Sequence, residues 1–208
     1  MSIITISRSF GSGGSEVATL VAQALGWPLL DNAVVDEVAA RTGLSRDAVA
    51  AREERMPSFA ERLANAMTLS TQEMLSPIAR ATLPPTEDRI LEVTRRVIEE
   101  AASRGSVVIV GRGAHMMLAA RGDAFGVFCD APREALVRRC MFRDQLSQHD
   151  AERRVDEVNR QRAAWTKQHW GSEWRAPETY HLCVNTDLLG VDGAAETVVQ
   201  TARRFFQS

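Results

Sequence analysis

Residues 3–27 read IITISRSFGSGGSEVATLVAQALGW. Ile3–Ser7 is a short β-branched run, the pattern of a buried strand. Gly11–Gly14 follows as a turn whose glycines can take positive φ and let backbone approach a ligand closely. From Ser15 to Leu25, the residues Val17, Leu20, Val21, Ala24 and Leu25 recur at helical spacing, and Gly26 ends the helix. In a strand–glycine turn–helix unit, loop N–H groups and the helix N-terminus converge on one point, where an anion is stabilised. The full phosphate-binding form of such a loop is G-x-x-x-x-G-K-[ST]. Its lysine reaches the outer phosphates and its hydroxyl lies near magnesium. Here Gly13 matches the second glycine and Ser15 keeps the hydroxyl. Gly14 stands in place of the lysine, and Arg8 in place of the first glycine. A substitute cation must therefore come from elsewhere. Arg8 is the nearest in sequence, either as a phosphate ligand through its forked donors or as a surface charge. Ser12, Ser15 and the position after the first strand favour an anion site over a tight connection that binds nothing.

Outward from this unit, strands and helices alternate. "WPLLD" is a second short strand ending at Asp31, and residues 32–41 read as a helix. Between Ser45 and about Thr86 strand signals vanish, and short helices broken at Pro57, Pro77, Pro84 and Pro85 form a helical insert. A helix over 88–104, a buried strand at "VVIVG" (107–111) and a short helix over 115–121 come next. Then "AFGVFCDAP" is a strand ending near Asp130. Helices follow over 133–148 and 150–167, a strand over 180–187 and a closing helix over 191–206. This order predicts an α/β fold, with a parallel sheet covered by helices on both faces in one domain spanning 1–208. Ligands of such sheets sit beyond the carboxyl ends of the strands.

Composition excludes several classes. The chain has 208 residues, 45% hydrophobic and 25% charged, with a formal net charge of −2, so no global field draws in nucleic acid or an anionic membrane. No apolar run reaches the roughly 18 residues of a membrane span. No basic region precedes an apolar stretch and cleavage site, as a secretory signal requires. Cys129, Cys140 and Cys183 lie far apart without metal-ligand spacing, as expected of buried or half-buried thiols in a reducing cytoplasm. The four histidines, His115, His149, His169 and His181, form no metal or triad set.

The ordered segments "ITISRSFGSGGSEVA", "LLDNAVVDEVA", "VVIVGRGAHMML", "VFCDAPREALVRRC", "NRQRAAW" and "YHLCVNTD" resemble the cytidylate kinase-like branch of the nucleoside monophosphate kinases, over nearly the whole chain. The resemblance implies a three-layer P-loop NTPase-type core, a helical acceptor-binding insert over about 38–88 and an arginine-bearing lid over about 142–176. It implies transfer of the ATP γ-phosphoryl group to CMP or dCMP with Mg2+, and small-molecule nucleotides as partners. It is also compatible with a homodimer. Gly11, Ser12, Gly13, Gly14 and Ser15 would hold the ATP phosphates, with Ser15 near the metal. "GRG" resembles the GRD of cytidylate kinases: Arg112 keeps the arginine, while Gly113 replaces an aspartate that helps hold the acceptor. Asp31 matches the acidic end of the second strand; a helix N-terminal acid is the competing reading. Arg89 roughly matches an acceptor-phosphate arginine.

Phosphoryl transfer spreads negative charge over the transferred oxygens, which lid arginines can neutralise on closure. Arg139 and Arg143 share a helix face, as do Asn159 and Arg162. The latter pair matches the family's D-x-x-R, with asparagine keeping a carbonyl acceptor but no charge. Arg8, Arg139 and Arg162 are the catalytic candidates, ahead of Arg143 and Arg160. Asp31, Arg89, Arg112 and Asn159 are the acceptor candidates. Trp165, Trp170 and Trp174 either stack on a base or pack the lid against the core. The departures at Gly14, Gly113 and Asn159 leave two alternatives to a cytidylate kinase: a nucleotide-binding protein without turnover, and a kinase for another small acceptor.

Overall fold

The computed structural model describes residues 1–49 and 87–207. Five parallel strands form one sheet in the order β2-β3-β1-β4-β5. They are β1 (Ile3–Arg8), β2 (Leu29–Leu30), β3 (Val107–Val110), β4 (Ala124–Asp130) and β5 (Leu182–Asn185). The helices are α1 (Gly14–Leu25), α2 (Asn32–Thr42), α3 (Glu87–Ser103), α4 (Ala114–Leu118), α5 (Arg133–Asp144), α6 (Gln148–Trp170) and α7 (Thr186–Phe205). Most of the insert assigned to 38–88 lies outside the described residues.

The period of two along β1 sorts its side chains to two faces. Ile4 and Ile6 join Val17, Val21, Val108, Val127 and Val198 in a core beneath α1 and α7. Ile3 joins Ile98, Val107, Ile109 and Leu118 beneath α3 and α4. Burial on both faces is the reason the strands read as continuous apolar runs rather than alternating ones. The central β1 pairs with β3 on one side and β4 on the other. The connection after β1 departs toward β2 and that after β4 toward β5, so a crevice opens between their carboxyl ends.

Two boundaries differ from the sequence reading. The helix expected over 133–148 stops at Asp144, because Gln145 turns left-handed at φ 53° and Ser147 caps α6 by accepting from the Asp150 N–H. The last strand ends at Asn185 rather than 187. The Asn185 side chain accepts from the N–H groups of Asp187 and Leu188 and starts α7, which is kinked at Gly190. Cys129 and Cys140 are buried, but Cys183 is exposed. No helix among the described residues is long and apolar enough to cross a membrane.

Candidate active site

The glycine loop is held from below and behind. The Ser9 N–H donates to the Cys129 carbonyl (3.0 Å), and the Ser12 N–H to the Ser9 carbonyl (3.2 Å). The Thr186 hydroxyl donates to the Ser12 carbonyl at 2.6 Å and lies 3.2 Å from the carbonyl of Asp130. Gly11 and Gly13 sit at φ 86° and 77°, a region that L side chains rarely adopt. The first N–H groups of α1 have no intrahelical partner. Beside them the Ser12 hydroxyl is fully buried with no hydrogen bond among the described residues. Such a group is expected to meet a ligand or water. Loop amides and the α1 N-terminus thus form an anion cradle over Gly11–Ser15.

Cations surround this cradle. A β-carbon added to Gly13 would lie 2.5 Å from an Arg139 Nη, so the Arg139 guanidinium rests directly on the loop. Arg139 also faces Glu16 at 3.5 Å. Arg8, Arg112 and Arg162 line one cleft together with Trp165 and Tyr180. Arg162 donates to the Arg8 carbonyl at 3.0 Å. Arg143 is bidentate on Asp144 and stacks 4.7 Å from the ring centroid of Phe10 in the loop. Arg160 pairs with Glu157 on the exposed side of α6.

The acceptor candidates separate. Asp31 stands at the N-cap of α2 but makes no capping hydrogen bond; its carboxylate faces Arg8 at 4.0 Å. Arg112 lies at φ 58° between Gly111 and Gly113, both at φ 67°. Three consecutive left-handed residues thus throw its side chain into the cleft. Asn159, expected at the acceptor, spends its carbonyl oxygen on the loop, accepting from the Phe10 N–H at 2.7 Å. It positions the cradle, and asparagine suffices because the bond needs an acceptor rather than a charge. Arg89 stands apart from these residues. On α3 the residues facing the neighbouring cavity are Glu87, Ile90, Leu91 and Thr94. Arg89 lies on another face, exposed and 2.9 Å from Glu92.

Position 113 leaves no room for a side chain. A β-carbon there would meet the Trp170 ring at 2.3 Å. Trp165, His169 and Trp170 form a cluster with ring centroids 4.9–5.8 Å apart, and this cluster covers the turn. Trp174 packs with Phe128 and Tyr180 instead.

Arg175 was missed in the sequence. It donates to the Ser9 hydroxyl at 2.9 Å and lies 3.6 Å from Asp130. No motif marks it, because it reaches the loop from beyond the end of α6. Thr186 was missed likewise.

In the wall of the cleft, His115 is buried and stacked on Tyr180, with centroids 4.2 Å apart. Burial pushes its imidazole from 6.5 down to about 4, against a smaller upward pull from the Thr179 backbone. The unfolded chain therefore binds this proton before the folded one does. Its contribution is complete above pH 6.5 and is lost as pH falls toward 4, a change of about 3 kcal/mol. His115→Phe keeps the stack and is expected to flatten the dependence of the urea midpoint on pH across that window. A profile parallel to that of the unaltered protein would assign the effect to other groups.

Sheet order, anion cradle and arginine ring together define an α/β fold of the P-loop kinase type. The chain belongs to the cytidylate kinase-like family, whose model matches residues 3–188. It is 28% identical over 201 residues to the cytidylate kinase of Ignicoccus hospitalis, covering 95% of this chain and 97% of that protein. Among solved structures, an uncharacterized protein from Eubacterium ventriosum is similar at a TM-score of 0.70 with 21% identity, covering 98% of this chain and 99% of that one. The shikimate kinase of Acinetobacter baumannii, solved in complex with shikimate, is similar at 0.54 with 17% identity, covering 98% and 94%.

Proposed function

We propose that the chain transfers the γ-phosphoryl group of ATP to a small phosphorylated acceptor, CMP or dCMP being the first candidates. The observation that carries this reading is the convergence of Arg8, Arg112 and Arg162 on one cleft beside a glycine cradle already covered by Arg139. The family supports kinase chemistry in general. In the reaction, an acceptor phosphate oxygen forms a bond to the γ-phosphorus. The bond to the β,γ-bridging oxygen breaks, and ADP leaves with that electron pair. A phosphate monoester is largely dianionic at neutral pH, so no general base is needed. The arginines then do the main work by positioning and neutralising charge.

Among the described residues no cluster of three or more His, Cys, Asp or Glu could hold a metal. Magnesium carried by nucleotide phosphates typically takes only one or two protein ligands. The Ser15 hydroxyl, in the first turn of α1, is the residue that would hold it. When bound, the ion neutralises charge on the phosphate oxygens.

A second reading, kinase action on another small acceptor, is favoured by Trp170, which fills the place of the family's acceptor-binding aspartate. ADP release with Mg-ATP across CMP, dCMP, UMP and non-nucleotide hydroxyl acceptors separates the two. Turnover with a cytidine monophosphate supports the first, and turnover with another acceptor alone supports the second. No turnover with any of them, joined to no thermal shift with ATP, overturns both.

A further inference from the structure

Gly11, Gly13 and Gly14 are glycines for different reasons. The first two have left-handed backbone. Gly14 does not; what excludes a side chain there is space alone. A β-carbon at position 14 would lie 2.4 Å from the Arg8 Cβ, 3.0 Å from the Arg8 Cγ and 3.1 Å from the Cys129 Cβ. The side chain of Arg8 occupies the volume through which a residue at 14 would leave the helix. The two positions are also the two at which this loop departs from G-x-x-x-x-G-K-[ST]: arginine stands for the first glycine and glycine for the lysine.

We infer that the loop has exchanged its cation across its own width. Arg8, rooted at the end of β1, does the work of the lysine normally rooted at the start of α1, and Gly14 is the complement that makes room for it. The state of the guanidinium fits such a role. Its side chain is only 15% exposed. Among the described residues it makes no side-chain hydrogen bond, with Asp31 facing it at 4.0 Å, beyond hydrogen-bond reach. A mostly buried guanidinium with donors to spare is completed by an anion. The Arg162 bond to the Arg8 carbonyl fixes the backbone from which this side chain springs. Asp31, at the N-cap of α2, faces the head at 4.0 Å. On the kinase reading, a cation there would lie between phosphate donor and acceptor, and its planar fork could contact an oxygen of each.

The inference rests on the kinase reading only for its catalytic half. Its steric half is read by stability alone, so the two can fail separately. The test is a double-mutant cycle on the full chain, with Arg8→Gly, Gly14→Lys and the pair, and a milder cycle with Gly14→Ala in case the lysine variant does not fold. In the steric arm, Gly14→Ala and Gly14→Lys alone are expected to lower Tm by roughly 5–10 °C. Adding Arg8→Gly should return most of that loss, the Cys129 contact accounting for a small remainder. In the ligand arm, Arg8→Gly alone should weaken Mg-ATP binding by calorimetry on the order of 10–100-fold and lower turnover about 100-fold. Arg8→Gly with Gly14→Lys should recover at least tenfold of each. If Gly14→Ala is as stable as the parent, or if the double variant is no better than the sum of its singles, the exchange is wrong. If the Tm cycle behaves as expected while the parent itself turns over no acceptor, the steric complement stands and the kinase reading falls.

Discussion

Arg162→Ala is expected to lower kcat about 100–1,000-fold, the loss typical of one preorganised charge donor, while Mg-ATP affinity changes by less than about threefold. The asymmetry follows from where the residue sits. Arg162 lies on α6 one turn beyond Asn159, and on the proposed reading the Gly11–Ser15 amides, rather than this guanidinium, would hold a nucleotide in the ground state. Arg162 donates a hydrogen bond to the Arg8 carbonyl at 3.0 Å. It shares the cleft wall with Arg8 and Arg112, where, on the proposed reading, charge would develop on the oxygens during transfer. Arg162→Lys should recover little, since a point charge does not reproduce the planar fork that donates to the Arg8 carbonyl. Single-turnover rates together with calorimetry check this. A kcat within twofold of the parent would remove α6 from the catalytic machinery.

Gly11→Ala should be the most damaging small substitution in the described chain. Its β-carbon would lie 2.5 Å from the Leu136 carbonyl oxygen, with the Leu136 carbonyl carbon and Cα both at 3.1 Å, on a residue at φ 86°. All three neighbours are backbone atoms of α5, which cannot yield without disturbing helix hydrogen bonds. The left-handed conformation costs about 1–2 kcal/mol, and overpacking against an unyielding neighbour about 1–3 kcal/mol more. For a chain of this length the sum corresponds to a Tm loss of roughly 10 °C. Gly26→Ala is the control, since Gly26 has φ 67° but open space around it. It should show the conformational cost alone, about 1–2 kcal/mol. Equal losses for the two variants would mean that the loop is not clasped by α5.

The strand–loop–helix unit was legible because its two periods change at the glycines: β-branched up to Ser7, then 3.6-residue spacing from Val17. The parallel sheet followed from "VVIVG" and "AFGVFCDAP", apolar without alternation because both faces are covered. The boundary at Ser147 was written in the sequence as a serine three residues before Asp150, yet the charge-rich run on both sides obscured it. What sequence could not disclose was which polar groups meet across distance. Asn159 and Phe10 are 149 positions apart, Arg175 and Ser9 are 166, and Thr186 and Ser12 are 174. No local period records such pairs. Arg89 shows a simpler limit: one step along a helix is a rotation of about 100°, so rough matching by position does not decide which face a residue takes. The meaning of Gly113 and Gly14 also lay outside the sequence, because each is explained by another residue's bulk.

The turn at Gly111–Arg112–Gly113 carries a standing liability. A residue with a side chain in this conformation weighs about 1–2 kcal/mol against the native state in any solution, whether or not an acceptor is present. In exchange the guanidinium's location is settled during folding, so that, on the proposed reading, a substrate would not spend binding energy ordering it. Heat tolerance and readiness for chemistry therefore oppose each other at this one peptide unit, and selection for a hardier molecule would erode it first.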